Sequence, residues 1–173
     1  MAEGEKKRRR SRSMRVPEAD RPPMELTARD VEILRTVNEF RAVRGDQLHR
    51  LFFTSRSAAQ YRLQRLFQHE FLDRHVLPVT TGGPASSPTV YTLARRGAQI
   101  LIDQAGLDRR DIHLRSRAFN WRFLNHRLKI NEVRVATLLA VQALGFVLET
   151  WRGVLSCPSR LRNRAERSGQ RAK

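Results

Sequence analysis

Seven residues between positions 55 and 65 carry side chains that hydrogen-bond base edges and phosphate oxygens: Ser55, Arg56, Ser57, Gln60, Tyr61, Gln64 and Arg65. At 3.6 residues per turn, Ser57, Tyr61, Gln64, Arg65 and Gln68 share one helix face, opposite the apolar Ala59, Leu63, Leu66 and Phe67. That polar face lacks the Glu/Lys mixture of an ordinary solvated helix. Its first residues would contact bases, and Arg65 and Gln68, further along, would reach phosphate. Arg74 and His75, then Arg95 and Arg96, flank a Gly/Pro/Ser-rich stretch and would meet neighbouring phosphates. The competing reading of the same pattern is a plain exposed helix face, or a surface that binds protein.

Bond-making chemistry finds no such set. His126 and Glu132 are six residues apart, about 240° around a helix, so they cannot share a face. Asp103, Asp108 and Asp111 lack ligand spacing. There is no Gly-x-x-x-x-Gly-Lys loop, no His-x-x-x-His, and no Ser or Cys nucleophile with a base at a sensible spacing. Cys157, the single cysteine, cannot form an internal disulfide or a Cys-rich zinc site. The expectation is a protein that binds, without catalytic residues, metal or cofactor.

The 173 residues carry 34 Lys+Arg against 17 Asp+Glu, a formal charge of +17, which points to a polyanionic partner. More than half of that excess lies in residues 1–25 and 152–173, two segments poor in apolar residues. Arginine greatly outnumbers lysine. Bidentate grip of phosphate would favour that bias, and so would a GC-rich genome. No 18-residue apolar run and no apolar leader is present, so neither a membrane span nor secretion is expected.

The elements that would position these side chains can be read in order. Residues 1–25, with Lys6-Lys7-Arg8-Arg9-Arg10, should be a disordered basic arm, either on nucleic acid or merely solubilising. Thr27-Ala28-Arg29-Asp30 is a capping box with Asp in the usual Glu position. It opens a helix over 28–40 with Val31, Leu34, Val37 and Phe40 on its apolar side. Gly45-Asp46 should cap a short helix through 47–52, and Thr54 to Ser57 a third over 58–69. Strands over 71–77 and 89–93, joined by the turn-rich 80–88, form a hairpin, and a fourth helix runs from Gln99 to Gln104. The fold class expected is mainly α with a small β-hairpin (α+β): a winged helix-turn-helix over 26–110, followed by a long helix.

Residues 111–151 form another unit, a helix over about 118–144 and a strand over 146–151. Phe119, Trp121 and Phe123 would pack on the first and fourth helices. The excess apolar face of 118–144 could be a homodimer interface. The strand has no visible partner, and 152–173 reads as an irregular basic tail, so the chain is expected to be truncated or frameshifted near 152.

Several short motifs resemble the replication-relaxation family of bacterial proteins. Leu26 to Asp30, Ile33-Leu34 and Val37 are similar to its first helix, and Phe40-Arg41 with Gln47 to Phe53 to its second segment. Arg62 to Leu66 and Phe71 to Arg74 resemble its third helix and first wing strand. Gly82-Gly83, Pro88, Val90-Tyr91, Leu93 and Gly97 resemble its wing signature. Leu124, His126, Leu128 and Asn131 to Arg134 are similar to its long helix, and Glu149 and Trp151 to the next strand. The likeness covers about 26–152; Pro84 to Ser87 lengthen the wing loop, and nothing after Arg152 matches the acidic, Pro-Asp-containing region of family members.

The resemblance implies a cytoplasmic, nucleoid- or plasmid-associated binder of double-stranded DNA that serves plasmid or mobile-element replication, relaxation or transfer machinery. Two alternatives are a fragment of a larger nuclease-like or relaxase-associated protein and a transcriptional regulator.

Overall fold

The computed structural model describes residues 14–77, 88–114, 121–148 and 161–163. Among them are five α-helices and two small antiparallel sheets, so the chain is mainly α with a small β component, as its patterning predicts. The tip of the hairpin loop, Phe119, the basic run 6–12 and Cys157 lie outside the described residues, as do the side chains of Trp121 and Phe123.

Helix α1 (Ala28–Phe40) begins where the capping box places it. The Thr27 N–H donates to Asp30 Oδ2 at 2.7 Å, and the Asp30 N–H returns to Thr27 Oγ1 at 3.4 Å, so Asp completes both halves of the box. Ile33, Leu34, Val37 and Phe40 are buried, whereas Val31 is only half-buried. A two-residue strand, β1 (Val43–Arg44), follows; so short a segment has no hydrophobic period to reveal it. Helix α2 (Gly45–Phe52) starts two residues before the predicted position, because Gln47 Oε1 accepts the Arg44 N–H at 3.0 Å and closes the first turn.

Helix α3 (Arg56–Gln68) buries Ala59, Leu63, Leu66 and Phe67, its predicted apolar face. It stops on Glu70, whose φ of 63° is left-handed. The Phe71 N–H reaches back to Leu66 O at 3.0 Å and the Glu70 N–H to Phe67 O at 3.1 Å. These paired reverse bonds turn the chain straight into the sheet.

Strands β2 (Leu72–Val76) and β3 (Thr89–Leu93) pair antiparallel, from Leu72 opposite Leu93 to Val76 opposite Thr89. Strand β1 lies on the other side of β3, with Val43 opposite Tyr91, so β3 is central and buries four of its five residues. Helix α4 (Arg95–Asp103) starts at Arg95, four residues before the predicted Gln99. Gly97 is accommodated within it: a Cβ there would lie 2.2 Å from Phe71 O, and its absence lets the helix seat against the turn that leads from α3 into β2. Helix α1 packs on α4 and β3, α2 on α3, and α3 on β2. Beyond α4, Asn38 holds the 109–113 turn by donating to Asp111 O at 2.8 Å and accepting from the His113 N–H at 2.7 Å.

Residues 14–25, read above as part of a disordered arm, form an ordered strap on the end of α3. Gln68 is buried; its side chain accepts from the Val16 N–H at 2.7 Å and donates to Met14 O at 2.9 Å. Arg15 donates to Phe67 O and Leu72 O, both at 3.1 Å, and ion-pairs with Asp73 at 2.6 Å. Arg21 bonds Val16 O and, at 2.9 Å, the Glu70 carboxylate. Low apolar content hid this segment, since backbone and side-chain hydrogen bonds rather than burial hold it.

The chain divides into two compact units, residues 1–124 and 125–173, whereas the sequence reading puts a boundary at 110–111. Helix α5 (Trp121–Ala143) crosses the division and is followed by Gly145, whose left-handed φ of 77° favours a residue without a Cβ. Within the second unit, β4 (Phe146–Leu148) pairs antiparallel with β5 (Leu161–Asn163), Phe146 opposite Asn163. This corrects two expectations: β4 has a partner, and the 152–173 segment is not wholly irregular. Three residues carry too short a pattern to announce a strand, and pairing was decided by the partner.

Candidate nucleic-acid interface

The polar face of α3 meets the hairpin in a cleft of about 470 Å³ lined by Ser57, Gln60, Tyr61, Gln64, Arg74, Thr89 and Tyr91. Five of the ten sequence-predicted contact residues therefore converge on one concavity. Thr89 and Tyr91 were not anticipated; alternation along β3 sends both to the same face, a signal present in the strand pattern.

Arg74 is the cation of this cleft. Its Nη1 donates to Gln64 Oε1 at 2.5 Å, its guanidinium lies 4.6 Å from the Phe67 ring centroid, and it bonds the Tyr91 hydroxyl. Burial pulls its pKa below the ordinary guanidinium value, and contact with Tyr91 offsets only part of that. Burial likewise pushes the Tyr91 phenol up, partly countered by Arg74. Among the described residues no carboxylate pairs with it; neutral oxygens and an aromatic face adjoin this charge.

The other five predicted residues are placed apart from the cleft lining. Ser55 occupies the N-cap of α3 without a side-chain cap bond; its Oγ lies 2.8 Å from Ser57 Oγ. Arg56 is exposed in the first helical turn. Arg65 donates to Pro22 O at 3.0 Å and to Pro23 O, and its guanidinium lies 5.9 Å from the Tyr61 ring centroid. It thus joins the strap to the cleft's exposed aromatic ring. Arg95 and Arg96 are exposed at the start of α4, and Arg96 reaches Glu18 only at 3.8 Å. Gln68, expected near phosphate, is buried under the strap.

Arg62 is a positioning residue that sequence reading treated only as part of a motif. Its Nε donates to Asp30 Oδ1 at 2.8 Å, its Nη2 to Asp30 Oδ2, and Nη2 also bonds Glu25 O at 2.7 Å. Asp30 is fully buried, so this pair fastens the start of α1 to the middle of α3. Burial pushes the Asp30 carboxyl up, but bonds from Arg62 and Thr27 outweigh it and hold the group below the usual carboxylate value. His126 is exposed on α5, and Glu132 is half-buried. Among the described residues no cluster of three His, Cys, Asp or Glu is placed to hold a metal ion, and no helix is long and apolar enough to cross a membrane.

Fold and face together define a small α+β domain that offers a polar, arginine-bearing helix beside an antiparallel hairpin. The replication-relaxation family model matches residues 34–166, more than three quarters of the chain, and the protein belongs to that family. The match extends past Arg152 and includes both strands of the second sheet. Searches of curated proteins and of solved structures found no match. Family membership associates the chain with replication and relaxation in the broad sense.

Proposed function

We propose that the protein binds double-stranded DNA as a winged helix, with α3 entering the major groove and the β2–β3 hairpin beside it. In this reading it is a non-catalytic accessory to plasmid or mobile-element replication or transfer, acting in the bacterial cytoplasm. The observation that carries the reading is the convergence of Ser57, Gln60, Tyr61, Gln64 and Arg74 where α3 meets the hairpin. These are donors and acceptors suited to base edges, beside a cation suited to phosphate. The element order helix, helix, helix, hairpin, helix supports it. So do Arg95 and Arg96: the positive end of α4 disfavours arginines in its first turn, and an approaching polyanion reverses that cost.

The test is selection of bound fragments from a random duplex pool at about 150 mM salt, followed by titration of the winner. An enriched motif is expected, with Gln60→Ala relaxing specificity and Arg95→Ala reducing the slope of log K against log salt by about 0.9. A flat pool and unchanged isotherms for both variants refute the groove assignment. A second copy docked on α5 is part of the same proposal, since Val133 on that helix and Leu144 just past its end are 60% and 73% exposed. Light scattering at low and high salt tests it, and a monomer at both removes the dimer.

A further inference from the structure

A helix that only reads base edges presents a convex face, yet here the predicted contact residues line a hollow. Its volume of about 470 Å³ falls within the ~300–1,000 Å³ of sites that enclose small molecules. Three chemistries meet in it. Tyr61 is 64% exposed, an aromatic platform whose ring is steadied by the Arg65 guanidinium, itself held by the strap carbonyls. Gln60 brings an amide able both to donate and to accept, and Gln64 a second amide whose Oε1 already accepts from Arg74. Arg74 brings a half-buried positive charge whose contacts among the described residues are neutral oxygens and the Phe67 ring, and an arriving anion would stabilise it.

A π-face, a hydrogen-bonding edge and an anion are the three parts of one nucleotide. We infer that the cleft between α3 and the hairpin seats a single unpaired nucleotide of a DNA strand. The base stacks on Tyr61, its edge meets Gln60 and Gln64, and its phosphate pairs with Arg74. This rests on the DNA-binding reading above and sharpens it: the preferred target is duplex containing an extruded or unpaired base, not uninterrupted duplex. Extruding a base from intact duplex costs unstacking energy, which an existing bulge or mismatch has already lost.

The experiment compares two short duplexes by anisotropy, identical except for one unpaired 2-aminopurine in the second. The wild-type protein should bind the bulged duplex about tenfold more tightly, with a change in 2-aminopurine emission as the base stacks. Tyr61→Ala should bring the ratio of the two affinities close to one, and Tyr61→Phe should keep it. Equal affinity of the wild-type protein for both duplexes overturns the inference while leaving duplex binding intact. Binding to neither duplex refutes the DNA reading itself, and the cleft assignment with it. An emission change with free 2-aminopurine deoxyribonucleotide, without a bulge preference, assigns the cleft to free nucleotides and overturns the strand proposal.

Discussion

Removing the Asp30 carboxylate should loosen α3 from α1 and destabilise the first unit by about 3 kcal/mol. Asp30 accepts two bonds from Thr27 and two from Arg62, and none of its surface reaches solvent. Asp30→Ala deletes one half of the capping box, worth about 1 kcal/mol. It also leaves the Arg62 guanidinium without its counter-charge. Breaking a fully buried pair costs roughly 3–5 kcal/mol, and this one is discounted because the Arg62 side chain is 25% exposed. Glu25 O remains as an acceptor and lowers the cost further. The loss is a sizeable part of the ~5–15 kcal/mol that holds a domain together. Urea unfolding followed by circular dichroism measures it, with Arg62→Ala and the double variant completing a cycle. The expected coupling is about 2 kcal/mol. Arg62→Lys should recover only part of it, since an ammonium cannot span both Asp30 oxygens. A loss below about 1 kcal/mol for Asp30→Ala, or a coupling near zero, refutes the view that this pair positions α3.

The same pair sets a pH dependence. Asp30 has a lower pKa folded than its unfolded value of about 3.9, so its stabilisation is complete above that value and is lost as pH falls through the folded one. Asp46, held down by Arg44 against its own burial, acts with the same sign. Thermal melts of Asp30→Asn should show a shallower acid limb below about pH 4 than the wild-type protein; parallel limbs would contradict the assignment. The strap gives the next expectation. Gln68→Ala removes the acceptor of the Val16 N–H and the donor to Met14 O, so the Val16 amide should exchange at least about tenfold faster while the Phe71 amide keeps its protection. Unaltered exchange at Val16 would show that Arg15 and Arg21 suffice to hold the strap.

Local patterns were legible where one element carries its own signal. The Thr27–Asp30 box is a four-residue interaction, so the start of α1 followed from it directly. The buried face of α3 followed from periodicity, and the antiparallel β2–β3 pair from two apolar runs around a turn-rich loop. The misreadings involve partners distant in sequence. The fourth helix was expected from Gln99, yet it starts at Arg95, and the missing Cβ of Gly97 is explained by Phe71 O. Arg65, expected at phosphate, also bonds carbonyls more than forty residues earlier, a contact its own stretch of chain does not announce. Strand β4 looked unfinished because its partner lies thirteen or more residues downstream in a segment with no apolar period.

By itself, then, the sequence determined the kinds of element and their order, the charge that invites a polyanion, and the family likeness. Those properties are sums over neighbouring residues, and neighbours in the chain are neighbours in a helix turn or a strand. Tertiary structure alone decided that four of the predicted contacts gather around Arg74, that residues 14–25 strap the end of α3, and that Arg65 steadies Tyr61. Each depends on a hydrogen bond or ring contact between segments whose separation is set by packing, and whether an arginine faces solvent, a carbonyl or an aromatic ring is not a property of its own stretch of chain.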